Sequence, residues 1–265
     1  MYWKNKVVWV TGASSGIGEA LVKKLAKSEA LVILSSRNKK ELERVRNEAG
    51  LTNQTSLILP LDLEKYKLLS KSVAPALKKW GRVDVLINNG GVSQRDLAEN
   101  TSLAVTEKIM AINFFGTVAL TNALYPHFKS KKSGTIAVIS SIAGKVGTRM
   151  RTTYCASKHA LQGYFDGLRA EAYHDGIQVC VICPGYIKTK ISNNALLGNG
   201  KSQNKMDDGI AGGLDVTETA IRILDGIESE EDEVIISGPK EKFATYLKRF
   251  APGLLSKILR NAKVT

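Results

Sequence analysis

A tyrosine and a lysine lie four residues apart in Tyr154-Cys-Ala-Ser-Lys158, and Ser141 lies thirteen residues before the tyrosine. Apolar residues recur at helical spacing from Thr153 to Arg169, so we expect the pair on one helix face, one turn apart. A phenol has an unperturbed pKa of about 10 and is a poor proton donor at neutral pH. A nearby ammonium group favours the phenolate and lowers that pKa. The spacing, although common on helices, therefore predicts proton transfer by Tyr154, tuned by Lys158.

A glycine-rich segment, Thr11-Gly-Ala-Ser-Ser-Gly-Ile-Gly18, stands between the first predicted strand and the first predicted helix. Glycines allow a tight turn, close approach of a ligand to the backbone, and close packing of the helix. The start of the helix offers free N–H groups and partial positive charge to a pyrophosphate. We therefore expect a dinucleotide to bind here, at Gly12, Ser14, Ser15, Gly16, Ile17 and Gly18.

The end of the second predicted strand indicates which dinucleotide binds. The sequence there is Leu34-Ser-Ser-Arg-Asn38, without the acidic residue that would bind an adenosine ribose hydroxyl and repel a 2′-phosphate. The Arg37 guanidinium can form paired hydrogen bonds to that phosphate, assisted by Ser36 and Asn38. The sequence predicts NADP(H) as the cofactor, with an ordinary surface arginine as the alternative.

Apolar, β-branched runs alternate with helix-length segments along the whole chain, a pattern typical of a parallel sheet covered on both faces. We predict an α/β, Rossmann-type, doubly wound parallel sheet of about seven strands in a single domain, residues 1–238. Residues 239–265 form a basic amphipathic extension that packs on this domain, on a partner or on a membrane surface. The predicted strands are Val7–Thr11, Leu31–Ser35, Ser56–Pro60, Val83–Asn88, Gly134–Ser140, Gln178–Cys183 and Glu233–Ile236.

Composition and charge exclude several further classes of function and partner. The 265 residues include 38 Lys and Arg against 25 Asp and Glu, a net charge of +13. These cations are scattered, so we expect no nucleic-acid partner. We also expect no metal site and, without a run of about 18 apolar residues, no membrane-spanning helix. The three cysteines and the absence of a signal-peptide layout at the start predict a cytoplasmic protein without disulfides.

Further motifs follow in order: Asp62 after the third strand, Asn88-Asn-Gly-Gly91, Asn113, and Pro184-Gly-Tyr-Ile-Lys-Thr189. Together with the glycine-rich segment, Ser141 and the Tyr154/Lys158 pair, they resemble the short-chain dehydrogenase/reductase family over nearly the whole chain. Gly91 departs from the family pattern, which usually has alanine there.

The resemblance implies a role for each matching residue. Ser141 would hydrogen-bond the substrate carbonyl, and Tyr154 would donate or accept the proton. Lys158 would hold the nicotinamide ribose, and Asn113 would hold a water molecule that links Lys158 to solvent. Asn89 would brace the strand that carries the cofactor. Further cofactor contacts implied in this way are Asp62, Leu63, Gly90, Tyr154, Lys158, Pro184, Gly185, Ile187 and Thr189.

Two regions bear on the substrate. Arg149 and Arg151 precede Tyr154 and either attract an anionic group or are solvated loop cations. The segment Lys242 to Lys263 has an apolar stripe among basic residues, which suits an anionic membrane, the protein's own core or a subunit partner. Its tail resembles the 11β-hydroxysteroid dehydrogenase and DHRS7-type subgroup, which implies lipid-like carbonyl substrates and membrane association.

Three functions remain open at this stage. The leading prediction is an NADP(H)-dependent carbonyl reductase or alcohol dehydrogenase for a lipophilic ketone or steroid-like substrate. A 3-oxoacyl-thioester reductase is the second, because Arg149, Arg151 and the basic tail suit an acidic carrier protein. The third is a non-catalytic dinucleotide-binding regulator, which has no need of Ser141, Tyr154, Lys158 and Asn113 together. The family resemblance also implies a homodimer or homotetramer.

Overall fold

A seven-stranded, fully parallel sheet forms the centre of the computed structural model, which describes residues 2–262. The strand order is β3-β2-β1-β4-β5-β6-β7, so the order reverses between β1 and β4. This confirms the predicted Rossmann-type α/β sheet. The strands are β1 (Val7–Thr11), β2 (Leu31–Ser35), β3 (Ser56–Ile58), β4 (Val85–Asn88), β5 (Gly134–Ile139), β6 (Ile177–Pro184) and β7 (Glu233–Ile236).

Helices cover both faces of the sheet, which is why its strands are continuous apolar runs. The helices are α1 (Gly16–Lys27), α2 (Lys39–Glu48), α3 (Val73–Lys78), α4 (Leu103–Met110), α5 (Gly116–Lys131), α6 (Thr152–Ala172), α7 (Asp208–Ala211), α8 (Val216–Glu228), α9 (Pro239–Phe250) and α10 (Pro252–Arg260). Short 3₁₀ segments lie at Leu63–Ser72, Ala98–Asn100, Ile142–Gly144 and Tyr173–Asp175.

Two apolar cores lie on opposite faces of the sheet. Helices α1, α2 and α8 contribute to one core, with Leu21, Leu42 and Ile223 fully buried. Helices α5 and α6 contribute to the other core, with side chains such as Phe128 and Phe165. Burial of each such side chain stabilises the fold by about 1.5–3 kcal/mol. The two layers hold the ends of the strands, and therefore the loops that follow them, in fixed positions.

The helix that passes through α4 and α5 is continuous from Leu103 to Lys131. Among residues 2–262 it is the one helix that is long and apolar enough to span a membrane, a criterion that core helices also meet. Leu120 and Leu124 of this helix are fully buried against the sheet. Of its most apolar window of 18 residues, 39% is buried inside the protein.

The long segment between β6 and α8 is ordered by contacts with other loops. Leu196 pairs with Gln94, and Ile187 pairs with Leu214. The short helix α7 lies near the end of this segment. The segment therefore forms a structured cover at the carboxyl edge of the sheet.

Helices α9 and α10 follow β7 as the C-terminal extension. Leu255 of α10 is buried, whereas Phe243 and Phe250 of α9 are 64% and 81% exposed. The extension therefore leaves an apolar surface uncovered. The predicted amphipathic stretch ended at Lys263, which lies outside the described residues.

Candidate active site

The candidate site lies at the carboxyl ends of β1, β4, β5 and β6. In doubly wound sheets, ligands bind at this edge where the strand order reverses. Here the reversal falls between β1 and β4, so the loops after these strands lie side by side. The glycine-rich loop follows β1, and Asn89-Gly-Gly91 follows β4.

The glycine-rich loop has a conformation that side chains would prevent. Gly12 has a φ of +64°, and a Cβ there would lie 2.8 Å from the Gly90 Cα. A Cβ on Gly18 would overlap the Gly12 carbonyl oxygen. The space that a side chain would need at Gly12 and Gly18 is thus filled by the neighbouring loop and by the loop's own backbone, so glycine at these positions allows the tight turn and the close packing of the helix start.

Asn89 and Thr11 hold the two loops together. The Asn89 Nδ2 donates to the carbonyl oxygens of Thr11, at 2.9 Å, and Gly12, at 3.3 Å. The Thr11 Oγ1 accepts the backbone N–H groups of Asn89 and Gly90, both at 3.0 Å. A Cβ on Gly90 would come 2.5 Å from Leu63 Cδ1, so Leu63 is packed against the same loop. These contacts agree with the bracing role expected of Asn89.

The residues expected at the adenosine end have mixed environments. Arg37 is exposed at the end of β2, and the Ser36 Oγ is buried without a hydrogen-bond partner among the described residues. Asn38 caps α2 by accepting the Glu41 N–H at 3.3 Å. Asp62 caps the 3₁₀ segment by accepting the Glu64 N–H at 3.1 Å. The last two side chains thus already have structural partners.

Ser141, Tyr154 and Lys158 come together beyond the end of β5. The Ser141 side chain hydrogen-bonds to Tyr154, and its Oγ also donates to the Pro184 carbonyl oxygen at 3.2 Å. Lys158 Nζ lies 5.8 Å from the Tyr154 ring centroid and donates to the Ile139 carbonyl oxygen at 2.7 Å. The helical spacing of α6 therefore places the tyrosine and the lysine on one face, as the sequence predicted.

Burial dominates the electrostatics of this pair. It raises the pKa of Tyr154, while the Ser141 hydrogen bond and the charges of Arg151 and Arg95 lower it. Burial also lowers the pKa of Lys158 to about 8. The sequence assigned the tuning of Tyr154 to Lys158, whereas in the structure the lowering influences come from Ser141 and the two arginines. The prediction of a lysine-lowered tyrosine pKa was therefore wrong for this structure, because desolvation outweighs attraction.

Asn113 occupies a π turn, Ala111–Phe115, between α4 and α5. Its Oδ1 accepts the Val92 N–H at 2.8 Å, and its Nδ2 donates to the Val92 carbonyl at 2.9 Å and the Ser157 Oγ at 3.0 Å. A Cβ on Gly91 would lie 3.1 Å from Asn113 Oδ1 and 3.7 Å from Lys158 Nζ. Gly91 therefore borders Asn113 and Lys158 at once. Such π turns often mark functional sites.

The segment after β6 returns over the glycine-rich loop. A Cβ on Gly16 would lie 3.3 Å from the Thr189 Cγ2. Ile187 is buried, and the Gly185 N–H donates to the Ile236 carbonyl oxygen at 2.8 Å. Together with Pro184, these residues close the site on the side opposite β4.

Arg149 and Arg151, expected together beside the substrate, are separated by the structure. Arg149 is exposed and faces α10, where it lines a cavity of about 410 Å³. Arg151 is buried and pairs with Asp207, so the picture of two solvated loop cations was wrong for Arg151. Its burial follows from a contact with a residue 56 positions away, which local sequence does not show.

Sequence reasoning missed three buried residues beside Tyr154. Arg95 and Asp207 form an ion pair, and the Gln94 Oε1 accepts the N–H groups of Thr153, at 2.8 Å, and Tyr154, at 3.4 Å. Gln94 thus satisfies free donors at the start of α6. For Gln94 and Arg95, the only signal in the sequence was that two polar residues shortly follow the Asn88-Asn-Gly-Gly91 motif. No signal in the sequence indicated Asp207.

These residues fit a nicotinamide dinucleotide. The glycine-rich loop has Gly12 before α1 and Gly16 and Gly18 in the first turn of α1, so the free N–H groups of the helix start lie where a phosphate would bind. The Ser36 Oγ directly after β2 is buried and has no hydrogen-bond partner among residues 2–262, so it offers a polar group at the adenosine end. Tyr154 and Lys158 would then face the nicotinamide end. The N–H groups at the start of α1 are suitable donors for a phosphate, and the side chains of Ser141, Tyr154 and Lys158 are suitable donors for a ribose and a carbonyl oxygen.

Comparisons with known proteins agree with this geometry. Residues 6–199 match the family model described as short chain dehydrogenase. The chain is 42% identical over 261 residues to the dehydrogenase/reductase SDR family protein 7-like of Anopheles gambiae, covering 97% of this chain and 82% of the relative.

Two solved structures share the fold. A Burkholderia phymatum short chain dehydrogenase/reductase in complex with NAD has a TM-score of 0.84 at 19% identity, with 96% of each chain covered. A Burkholderia cenocepacia short chain dehydrogenase in complex with NADP has a TM-score of 0.80 at 23% identity, covering 99% of this chain and 100% of the other.

The chain therefore belongs to the short-chain dehydrogenase/reductase family of nicotinamide-dependent oxidoreductases. Within that family it falls in the DHRS7-like subgroup, to which its relatives at about 40% identity belong.

Proposed function

We propose that the protein is an NADP(H)-dependent carbonyl reductase that interconverts a ketone and a secondary alcohol. The observation that carries this proposal is the hydrogen-bonded Ser141–Tyr154 pair, with Lys158 one helical turn away and the glycine-rich loop alongside. The bound nicotinamide supplies or takes the hydride. The protein binds and orients the cofactor and the substrate, and its side chains move the proton.

Each side chain has a defined task in reduction. The Ser141 hydroxyl donates a hydrogen bond to the substrate oxygen and stabilises negative charge as it develops. Tyr154 donates the proton. With its pKa raised by burial, the Tyr154 phenol is protonated near neutral pH, as an unperturbed phenol is, and this is the form that reduction needs. Lys158 holds the ribose, and Asn113, through its π turn, positions the water that reaches Lys158.

The test of this function is replacement of Tyr154 by phenylalanine, which removes only the hydroxyl group. We expect kcat/KM for ketone reduction to fall by about 10²–10⁴-fold, as for loss of a general acid. NADPH binding, followed by its fluorescence, should change little. Wild-type turnover by the Tyr154→Phe variant would remove the proposed mechanism. No turnover of any substrate by the wild-type protein, with NADPH still bound, would favour the regulator alternative.

The preference for NADP(H) over NAD(H) is proposed from Arg37 and Ser36. Both stand at the end of β2, where no acidic side chain would repel a 2′-phosphate. Arg37→Asp should raise KM for NADPH at least about tenfold, because one cation–phosphate contact is lost and repulsion is gained. The matched control is Arg222→Asp, at an exposed arginine on α8. An unchanged ratio of the two cofactors' KM values in Arg37→Asp would contradict the preference.

A lipophilic ketone of the steroid kind is proposed as the substrate. Val146, Leu255 and Leu259 line the cavity of about 410 Å³ between the segment that leads to α6 and helix α10, together with the cations Arg149, Lys248 and Arg260. Loss of NADPH absorbance over a panel of steroids, quinones, small ketones and 3-oxoacyl thioesters tests the proposal. The highest kcat/KM with an acyl thioester would favour the second enzyme reading instead.

Peripheral membrane contact and homo-oligomer formation complete the proposal. The exposed apolar side chains of α9 and α10 alternate with lysines and arginines, an arrangement that suits an anionic bilayer surface. We place the protein in the cytoplasm, with this face as its contact to the membrane. Phe115, the last residue of the π turn between α4 and α5, is 44% exposed and suits a subunit contact.

A further inference from the structure

Gln94 is a buried glutamine beside the start of α6, and it is 0% exposed. Its Oε1 accepts the backbone N–H groups of Thr153, at 2.8 Å, and Tyr154, at 3.4 Å. Both groups belong to the first turn of the helix, where N–H groups have no partner within the helix itself. Gln94 therefore caps α6, although it lies 60 residues before Tyr154 in the sequence.

The cap comes from outside the helix because the residue at the N-cap position cannot supply it. That residue is Arg151, and a guanidinium group has donors but no acceptor. A serine, threonine, asparagine or aspartate at this position would accept an N–H group of the first turn. Here a glutamine from the loop after β4 accepts these N–H groups instead. The first turn of α6, which carries Tyr154, thus depends on a side chain that is distant in sequence.

The other end of the Gln94 amide is held as well. Its Nε2 donates to the Thr101 Oγ1 at 2.8 Å, and the Thr101 hydroxyl donates its own proton to the Leu97 carbonyl oxygen, also at 2.8 Å. Because that proton is already used, Thr101 acts as an acceptor toward Gln94. The amide nitrogen of Gln94 therefore faces Thr101, and its oxygen faces the donors of α6.

The main chain at Gln94 is fixed by the segment that covers the site. The Leu196 N–H donates to the Ser93 carbonyl oxygen, and the Arg95 N–H donates to the Leu196 carbonyl oxygen, both at 2.9 Å. Gln94 stands between these two hydrogen bonds. Its side chain therefore projects from a backbone that is held on both sides, so the acceptor that it presents to α6 has a fixed position.

The position of this helix start sets the distance between two hydroxyl groups of the candidate site. The Tyr154 side chain hydrogen-bonds to Ser141, which lies beyond the end of β5. Ser141 is held separately, by the Pro184 carbonyl oxygen at 3.2 Å and the Ala143 N–H at 3.1 Å. The two hydroxyl groups therefore belong to different elements. A displacement of about 1 Å between reacting groups can cost about 10²-fold in rate.

We propose that Gln94 is a positioning residue for proton transfer, because it fixes the first turn of α6 and thereby holds the Tyr154 hydroxyl beside Ser141. The proposal rests on the proposed function, in which Tyr154 exchanges a proton with the substrate. Gln94 acts through Tyr154, since its amide is bound to the backbone of α6 at one end and to Thr101 at the other.

Replacement of Gln94 by leucine tests the proposal, because leucine is of similar size and has no acceptor. We expect the single-turnover rate of NADPH oxidation by a ketone to fall by about 10–100-fold. The Kd for NADPH, followed by its fluorescence, should stay within about twofold, because the glycine-rich loop is held by Thr11 and Asn89. Gln94→Glu keeps an acceptor oxygen, so its rate should return to within about threefold of the wild type.

A double-mutant cycle with Tyr154→Phe separates positioning of the hydroxyl group from general damage. Without that hydroxyl group, Gln94 has nothing left to position. Gln94→Leu should then lower the residual rate of Tyr154→Phe by no more than about threefold. Damage to the fold or to hydride transfer would lower the rate by the same factor in both backgrounds. Equal factors would overturn the proposal, and so would a wild-type rate in Gln94→Leu.

Thr101→Val is the matched control, because it removes the hydrogen bond at the other end of the same amide and leaves the cap in place. Its rate should stay within about threefold of the wild type. A loss as large as that of Gln94→Leu would contradict the cap as the cause.

Circular dichroism establishes which variants fold. If Gln94→Leu does not fold, Gln94→Asn replaces it in the cycle, because its amide is shorter by one methylene group and leaves the N–H groups of α6 without their acceptor. Full activity of Tyr154→Phe alone would be a failure of the proposed function, and it is distinct from the equal factors that would overturn the role of Gln94.

Discussion

Lys158 illustrates how a single buried group links stability to function at the scale of one residue. Its side chain is buried, and burial lowers the pKa of its ammonium group to about 8 from 10.5. Below about pH 8 the lysine is charged in the folded and unfolded states, and folding carries the cost of burying that charge. Between pH 8 and 10.5 the unfolded chain binds more protons, so the free energy of unfolding rises with pH.

The Lys158→Met variant should therefore be more stable than the wild type below pH 8, by up to about 3 kcal/mol. The advantage should shrink as pH rises and vanish near 10.5, where the lysine is neutral in either state. Chemical denaturation at several pH values measures it. The exposed Lys40, changed to methionine, is the control and should show no such trend. A difference between Lys158→Met and wild type that stays constant with pH would contradict the assignment.

At the scale of elements, the glycine-rich loop and the start of α1 act as one unit. The loop is held by Asn89 and Thr11 of neighbouring strand ends, and α1 begins within it. Because Gly18 packs directly on the Gly12 carbonyl, the position of the helix start depends on the absence of a single methyl group. Because the glycine-rich loop and the start of α1 cannot shift independently, the proposed phosphate site is rigid.

Gly18→Ala should lower the free energy of unfolding by about 1–3 kcal/mol, since a Cβ meets backbone that cannot move aside cheaply. It should also weaken NADPH binding at least about tenfold, because the loop must shift. Gly253→Ala on α10 is the matched control, because a Cβ there meets no atom of the described residues within 4 Å. We expect that control to change stability by no more than about 0.5 kcal/mol. Equal effects in the two variants would show that the loop is not constrained. Thermal unfolding and cofactor fluorescence provide the measurements.

At the scale of the whole molecule, the sheet and its two helical layers leave an apolar surface uncovered on α9 and α10. Phe243, Tyr246, Phe250, Leu254 and Ile258 are each at least half exposed. Exposed apolar surface on this scale marks a contact with a membrane or a partner. The nearby cavity places this surface close to the segment that leads to Tyr154.

We expect the protein to bind anionic phospholipid vesicles at low salt, and Phe243→Ser with Phe250→Ser to weaken that binding about tenfold or more. The fraction of protein that sediments with phosphatidylserine-containing vesicles measures the binding, and added salt should reduce this fraction. The control is Leu103→Ser, which removes an apolar side chain that is 71% exposed on α4. Equal loss of binding in the control, or no binding by the wild type, would exclude this membrane contact.

Much of the fold followed from local pattern. Strands β1, β2 and β7 begin and end at the predicted residues, because both faces of the sheet are covered and the strands are uninterrupted apolar runs. Predictions failed at strand ends, where apolar residues continue but pairing stops. The Val83 N–H donates to His127 instead of to a neighbouring strand, so β4 begins at Val85.

The sequence by itself determined the class of sheet, the bare glycine-rich loop and the joint placement of Tyr154 and Lys158, because each depends on spacing within one element and its neighbours. Only the tertiary structure decided what surrounds the tyrosine. Arg95 meets Asp207 across 112 positions, and Arg151 is buried by the same contact. A pKa depends on burial and on charges brought close in space, and no local pattern records either of them.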